Sequence, residues 1–337
     1  MPTANWSTIA ILGAAFGGCL AVSVALVRIG IAIARRIGFV AQFNAILGDS
    51  RSVAMGGGVS FGIVVVAASA ILWHIELVAV QVPLALLAAL VLGLYDDIYR
   101  LDPFMKLAGQ VVAAAIYLSS CPLPWLGYPI VALFLLATQN AWNLVDVMDG
   151  LAGSISVMAF LGVGLIMWLI TISSSAMALI AIATAGAVAG FLIWNRHPAR
   201  VFMGDTGSLM LGLLFGILIV EVYLLNPVAA GISLLNGLIP LFEITFLIVE
   251  RSRKRIPIMR GSRDHFALRL RDNGFTESWI IRRVSVVALC LTTVSVLLIS
   301  VGSTVLYPIV LLVLSAVTIL AYRYFHSLNC ASGPNAS

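Results

Sequence analysis

The chain has 337 residues, 61% of them hydrophobic and 10% charged, with a net charge of +5 and a mean hydropathy of +1.10. Soluble domains carry about 25% charged residues, so a water-soluble globule is excluded. What remains is an all-α, polytopic integral membrane helix bundle, with no polar segment long enough to build a separate soluble domain.

A membrane-spanning helix needs about 17–25 predominantly apolar residues. Eleven such runs are predicted, at 6–28, 59–76, 78–95, 104–120, 128–145, 155–173, 176–194, 207–225, 228–249, 284–302 and 304–322. The run at 104–120 is the weakest and merges into the turn Cys121-Pro122-Leu123-Pro124. The first run is long enough to span and lacks a preceding basic stretch, so no cleavable signal is expected. Cys19, Cys121, Cys290 and Cys330 lack metal-ligand or disulfide spacing; those in or beside the apolar runs read as small hydrophobes.

All 19 Lys and Arg residues fall in alternate connections. One set holds Arg28, Arg35, Arg36 and Arg51, then Arg100 and Lys106, then Arg196 and Arg200, then ten cations from Arg251 to Arg283, and Arg323 in the tail. The other set holds none. The positive-inside rule therefore places the N-terminus outside and the C-terminus inside, with 251–283 as a basic cytoplasmic loop. The surplus charge is a topology signal and calls for no nucleic-acid partner. The outer connections, such as Ile172–Ala176 and Gly302–Thr304, offer little room for a site.

The inward connections carry the chemistry. Gly56-Gly57-Gly58 reads either as a flexible helix entry or as backbone that lets a substrate approach closely. Asp96-Asp97 closes the third span, with Asp102 and Lys106 following. Adjacent carboxylates repel and need a metal, a cation or a shared proton, so they are helix-end acids paired with Arg100 or Lys106, or a base or nucleophile beside a phosphate-binding lysine. In Asn140–Ser154 the residues Asn143, Asp146 and Asp149 recur every three positions, on one face if the helix continues through them. Intramembrane rows of this kind are rare without a use. Asn195–Ser208 sets Asp205 between Gly204 and Thr206-Gly207-Ser208. Asp205 is either a helix cap or a carboxylate on a tight loop for a divalent cation, with helix N-terminal amides beside it for phosphate. Pro240 and Glu243 interrupt the ninth run, where Glu243 is a bundle-interior acid with a polar partner or a direct participant. The basic loop holds Arg260, Arg263, Asp264, His265, Arg269 and Arg271, suited to anionic headgroups or to a pyrophosphate.

Taken in order, these residues resemble the polyprenyl-phosphate N-acetylhexosamine-1-phosphate transferases, a glycosyltransferase family 4 group that includes undecaprenyl-phosphate N-acetylglucosamine-1-phosphate transferases. Asp96-Asp97 is similar to the family's paired-aspartate motif and Lys106 to its following basic position. Asn143, Asp146, Asp149 and Gly150 resemble its NxxDxxDG motif. Phe202–Ser208 resembles its FMGDTGS block, Pro240 and Glu243 its Pro-x-x-acid motif, and Asp264-His265 the start of its histidine motif. The likeness is densest over 56–270 within one transmembrane domain, 1–337. His265 stands without the further histidines of the muramoyl-pentapeptide branch, which points away from that branch.

The resemblance implies transfer of a sugar 1-phosphate from a UDP-sugar to undecaprenyl phosphate, with Mg2+ or Mn2+ as cofactor. It implies Asp205 as the metal ligand, and Asp96, Asp97 and Asp149 among the catalytic carboxylates. Lys106, Asn143, Asp146, His265, Arg260 and Arg263 are the implied substrate contacts. The expected setting is the cytoplasmic face of a bacterial inner membrane, with membrane lipids around the chain and a homodimer as one form it can take. The competing expectations are a transporter or flippase with midplane acids, and an inactive lipid-binding relative.

Overall fold

A computed structural model describes residues 6–42, 52–171, 176–259, 262–302 and 306–328. The chain forms α1 (Trp6–Ile37), a hairpin of β1 (Val40–Gln42) and β2 (Ser52–Ala54), α2 (Gly57–His74), α3 (Gln81–Tyr99), α4 (Pro103–Leu118) and α5 (Gly127–Val145). It continues with α6 (Leu151–Thr171), α7 (Ala176–Asn195), α8 (Gly204–Leu225), α9 (Pro227–Ser233), a 3-10 turn (Leu234–Gly237), α10 (Leu238–Arg253), α11 (Phe266–Asp272), α12 (Glu277–Val301) and α13 (Leu306–Ser327).

Each of the eleven expected runs is occupied by helix. Among the described residues, nine helical segments are long and apolar enough to cross a membrane. The other two are α4, at 16 residues, and α5, whose second half carries Thr138, Gln139, Asn140 and Asn143. This is a multi-pass membrane protein.

α8 is buried along nearly its whole length and sits at the centre, between α3 and α5. α7 is almost as buried and carries α1 along one side and α6 along another. Close approach explains the α1–α7 contact: a Cβ at Gly190 would press on the Leu20 carbonyl and the Ser23 side chain. Small residues at such crossings let membrane helices pack backbone to backbone. α13 buries no residue and lies at the periphery.

The boundaries differ from the sequence expectation at three places. α1 does not stop at residue 28 but runs on to Ile37, so its 32 residues reach about 48 Å, well beyond a hydrocarbon core of about 30 Å. Charge does not stop a helix, so Arg28, Arg35 and Arg36 are helical. The ninth run is broken: α9 and α10 are separated by the 3-10 turn, and Pro240 falls in the first turn of α10, where its missing N–H is not needed. Asn236 steadies the break, donating to the Ser233 carbonyl and Ser295 Oγ at 3.1 Å each and accepting from Thr292 Oγ1 at 3.0 Å. The expected basic loop 251–283 is shorter than predicted. Arg251 and Arg253 end α10, α11 occupies its middle, and α12 begins at Glu277, capped by Thr276 Oγ1, which accepts from Trp279 N at 3.3 Å. The β1–β2 hairpin is the one departure from all-α structure among the described residues.

Candidate active site

Four helix ends meet at one end of the bundle. Asp102 caps α4, accepting from Phe104 N at 2.9 Å and Met105 N at 3.2 Å, with Pro103 opening the helix. That start places Lys106 one turn inside, facing α3 and α8. Lys106 Nζ lies 3.0 Å from Asp96 Oδ2, is ion-paired with Asp205 Oδ2, and donates to Asn143 Oδ1 at 3.4 Å. Asn143, in the last turn of α5, donates to Asp205 Oδ1 at 2.6 Å and to Ser208 Oγ at 3.1 Å. Asp96 Oδ1 accepts from Leu101 N at 2.7 Å. The structure thus brings Asp96, Lys106, Asn143 and Asp205 into one hydrogen-bonded cluster.

Asp97 does something different from its neighbour. Its Oδ1 accepts from Asp205 N at 2.8 Å, and its Oδ2 accepts from Thr206 N at 3.1 Å and Thr206 Oγ1 at 2.6 Å. α8 has no cap from its own chain segment, so Asp97 caps it from α3. The helix N-terminal amides that the sequence suggested for phosphate are therefore taken by a carboxylate. Gly204, at φ +70°, leaves the space that this carboxylate fills.

The expected row on one helix face does not form. α5 ends at Val145, Asp146 sits past the last turn at φ −82° and ψ 57°, and the chain reverses at Gly150 with φ +72°. Only Asn143 stays helical. Asp146 N donates to the Asn143 carbonyl at 3.3 Å, and its carboxylate accepts no hydrogen bond among the described residues. Burial raises its carboxyl, and the carboxylates of Asp205, Asp97 and Asp149 add to the effect, pushing it up to about 7. Asp149 turns away from the cluster: its Oδ2 accepts from Ala199 N at 2.9 Å and lies 3.2 Å from His197 Nδ1. Buried Asn195 ties this turn to the loop before α8, accepting from Gly150 N at 3.0 Å and donating to the Val201 carbonyl at 2.8 Å.

The glycine run holds that same loop. Gly57 N donates to the Phe202 carbonyl at 2.9 Å and Gly58 N to the Met203 carbonyl at 3.0 Å. A Cβ at Gly58 would overlap the backbone of Gly207 and Met203. Neither a flexible entry nor a substrate cradle describes these residues: they are the contact of α2 with the start of α8. Ala54 of β2 extends it, bridging Val201, with Phe202 N donating to the Ala54 carbonyl at 2.9 Å.

A second polar group lies under the basic loop. Glu243, fully buried, accepts from His265 Nδ1 at 2.7 Å and from Phe266 N at 3.4 Å, so it holds the imidazole at the start of α11. Arg269 joins Glu250 at 2.7 Å and Asp264 at 3.0 Å, and Lys254 also pairs with Asp264. Burial raises the Asp264 carboxyl, but Lys254 and Arg269 outweigh it and hold the group below the usual carboxylate range. Arg263 pairs with Asp272 at 3.3 Å on the exposed side of the loop. Arg260 and Arg51 lie outside the described residues.

Two groups could accept a metal ion. The Asp205 and Asp96 carboxylates give an oxygen-only pair beside which Lys106 already supplies one positive charge, a chemistry that fits magnesium. Asp149, His197 and Glu277 form the other, with one ligand atom each within 4.8 Å of the rest. His197 and Glu277 were not singled out by sequence; the only signal was that His197 shares a loop with Asp205.

The geometry gathers phosphate-compatible groups at helix ends, and the comparisons give the family. The model of glycosyl transferase family 4 matches residues 79–223, which include every member of the Asp96–Asp205 cluster and exclude His265. A Bacillus subtilis (strain 168) protein named as a probable undecaprenyl-phosphate N-acetylglucosaminyl 1-phosphate transferase is 32% identical over 270 residues, 73% of each chain. The chain belongs to glycosyl transferase family 4. Other members similar to it are phospho-N-acetylmuramoyl-pentapeptide-transferases. That of Moorella thermoacetica is 39% identical over 158 residues, 46% of this chain and 47% of its own. That of a Nostoc species is 30% identical over 284 residues, 73% of this chain and 74% of its own. Within the family, the cluster here is the natural place to look for chemistry.

Proposed function

We propose that this family 4 member transfers a sugar 1-phosphate, of the N-acetylhexosamine type, from a UDP-sugar to undecaprenyl phosphate. UMP leaves, and a lipid-linked diphosphate sugar remains as the start of a cell-envelope glycan. The observation that carries the reading is the convergence of Asp96, Lys106, Asn143 and Asp205 at the ends of four membrane helices. A site there meets a lipid arriving sideways from the bilayer and a nucleotide arriving from the aqueous side.

In the reaction, an oxygen of the lipid phosphate attacks the phosphorus that bears the sugar. The bond to the UMP oxygen breaks, and UMP carries away the negative charge. Such transfers depend on neutralisation and in-line positioning more than on covalent chemistry. Asp96, free of the capping duty that occupies Asp97, is the base that keeps the lipid phosphate ionised. Lys106 neutralises phosphoryl oxygens. Asn143 orients Asp205, while Asp146 and Asp149 line the nucleotide side. His265, held by Glu243, would contact the diphosphate or sugar, as would Arg260 and Arg263. Asp205 would hold Mg2+ or Mn2+, which when bound offsets charge on the diphosphate and the departing UMP.

The whole chain works as one transmembrane domain with eleven spans, its N-terminus outside and this site on the cytoplasmic face of a bacterial inner membrane. The segregation of the cations into alternate connections supports that orientation. A transporter would gather its polar groups near the bilayer midplane, whereas these acids sit at helix ends.

Membranes containing the protein, given undecaprenyl phosphate, magnesium and a panel of UDP-N-acetylhexosamines, should release UMP with at least one donor. Asp205→Asn should abolish release while the protein still inserts and folds. Silence with every donor would overturn the proposal.

A further inference from the structure

Glu277 opens α12, far in sequence from Asp149, yet one imidazole joins them. His197 Nδ1 lies 3.2 Å from Asp149 Oδ2 and 3.1 Å from Glu277 Oε2. Asp149 Oδ2 is fixed from a second side by Ala199 N at 2.9 Å. Glu277 reaches onward through Oε1 to Arg271 of α11 at 3.3 Å. A continuous polar chain therefore runs from α11, which His265 precedes as its N-cap, through the first turn of α12 and His197, to the turn 146–150. The α12 end of this chain is stiffened: Phe275 and Trp279 stack at 4.5 Å, and Arg283 lies over the Trp279 ring at 5.4 Å.

Isolated surface ion pairs contribute little. This arrangement differs because one ring nitrogen, hydrogen-bonded to Asp149, also lies within ion-pairing distance of Glu277, and the two carboxylates belong to separate parts of the site. The 262–276 segment spans the gap between α10 and α12 and carries His265 and Arg263. Among the described residues, the contact at Glu277 links the His197 loop, and through it Asp149, to the end of that segment.

We propose that His197 and Glu277 are positioning residues, a clasp that sets the basic segment 262–276 over Asp149 and so shapes the subsite for the nucleotide-sugar donor. This rests on the transferase reading for its substrate. The clasp itself is a property of the unliganded chain. Neither residue touches the reacting phosphorus, so its loss raises donor KM and leaves kcat nearly alone.

The test uses the full-length protein in lipid nanodiscs, with His197→Ala, Glu277→Ala, their double variant and Glu277→Gln. Loss of one partly exposed ion-pair link should raise donor KM by about 3- to 5-fold, with kcat changed by less than about twofold. The double variant should fall well short of the combined effect of the two single changes, because both break the His197–Glu277 link. Glu277→Gln keeps an oxygen that accepts from the imidazole N–H and should restore KM to within about twofold of the parent. Separately, amide hydrogen exchange without any substrate should show 262–276 less protected in both alanine variants and not in Glu277→Gln. Unchanged protection, additive effects, or a loss confined to kcat would each overturn the clasp. If the parent protein released no UMP with any donor, the transferase reading would fail, and the exchange measurement would still decide the clasp.

Discussion

Asp96 and Asp97 are neighbours in sequence, and the structure separates their work. Asp97→Ala removes the acceptor for Asp205 N, Thr206 N and Thr206 Oγ1 at the start of α8. Thr206 is fully buried, so water cannot replace what is lost. A buried donor left without a partner costs about 1–3 kcal/mol. Loss of an N-cap costs about 0.5–2 kcal/mol, and loss of a negative charge at a helix N-terminus about 0.3–1 kcal/mol. These figures describe overlapping contacts and do not sum, so about 2–4 kcal/mol is expected. Asp97→Asn keeps one acceptor oxygen and should cost about half as much. The assay is chemical unfolding in detergent micelles, run beside UMP release for the same preparations. Asp96→Asn is the contrast: it should stop turnover with a smaller change in stability, because Asp96 supports Lys106 and one loop amide rather than a buried helix end. If Asp97→Ala unfolded like the parent protein yet released no UMP, Asp97 would act on substrate, and the capping argument would be refuted.

Three further outcomes follow from the packing and charge. Gly58→Ala should destabilise the protein and impair UMP release, because its methyl would collide with the Gly207 and Met203 backbone, whereas Gly13→Ala has nothing within 4 Å and should be neutral in the same assays. Asp264, held below the usual carboxylate range once burial is outweighed by Lys254 and Arg269, contributes stability that is present above about pH 4 and is lost as pH falls through its depressed value. Asp264→Asn should flatten that acid limb in unfolding curves measured from pH 6 downward, by about the range that the parent loses. A reporter fused at Asp102 should be active only as a cytoplasmic fusion, and the opposite result would reverse the topology and the side of the site.

Much of this was legible in the chain because membranes simplify the code. Apolar runs must be helices, since lipid leaves backbone groups no other partner, and the cations sort the connections by side. Asp96, Lys106, Asn143 and Asp205 were named from motifs and do meet. The division between Asp96 and Asp97 was not legible. Successive residues on a helix point about 100° apart, and which of them faces α8 depends on where the α3–α8 crossing falls. That crossing is set by a bare backbone patch: a Cβ at Gly93 would strike Asp205 and Thr206. The fifth run was read to residue 145 and α5 does end at Val145, but the three-residue spacing of Asn143, Asp146 and Asp149 imitates a helix face continuing past that stop. Its decisive residue is Gly150, whose positive φ turns the chain. The hairpin strands, at three residues each, are too short for an alternating pattern to announce them.

The capping of α8 also decides where phosphate charge can be met. A helix N-terminus with free amides is a ready anion site, and an approaching diphosphate would compete for it. Here Asp97 occupies the amides of Asp205 and Thr206, and its negative charge cancels the favourable pole of the helix. Asp96 and Asp205 add further negative charge nearby, with Lys106 the one ammonium among the described residues that pairs with them. A dianionic lipid phosphate and a nucleotide diphosphate brought against those carboxylates meet one lysine within the cluster itself, the His265 and arginine contacts proposed for the diphosphate lying outside it. The cluster is therefore short of positive charge for the reaction its residues suit. That deficit, rather than any single motif, is the strongest physical reason to expect a divalent cation at Asp205.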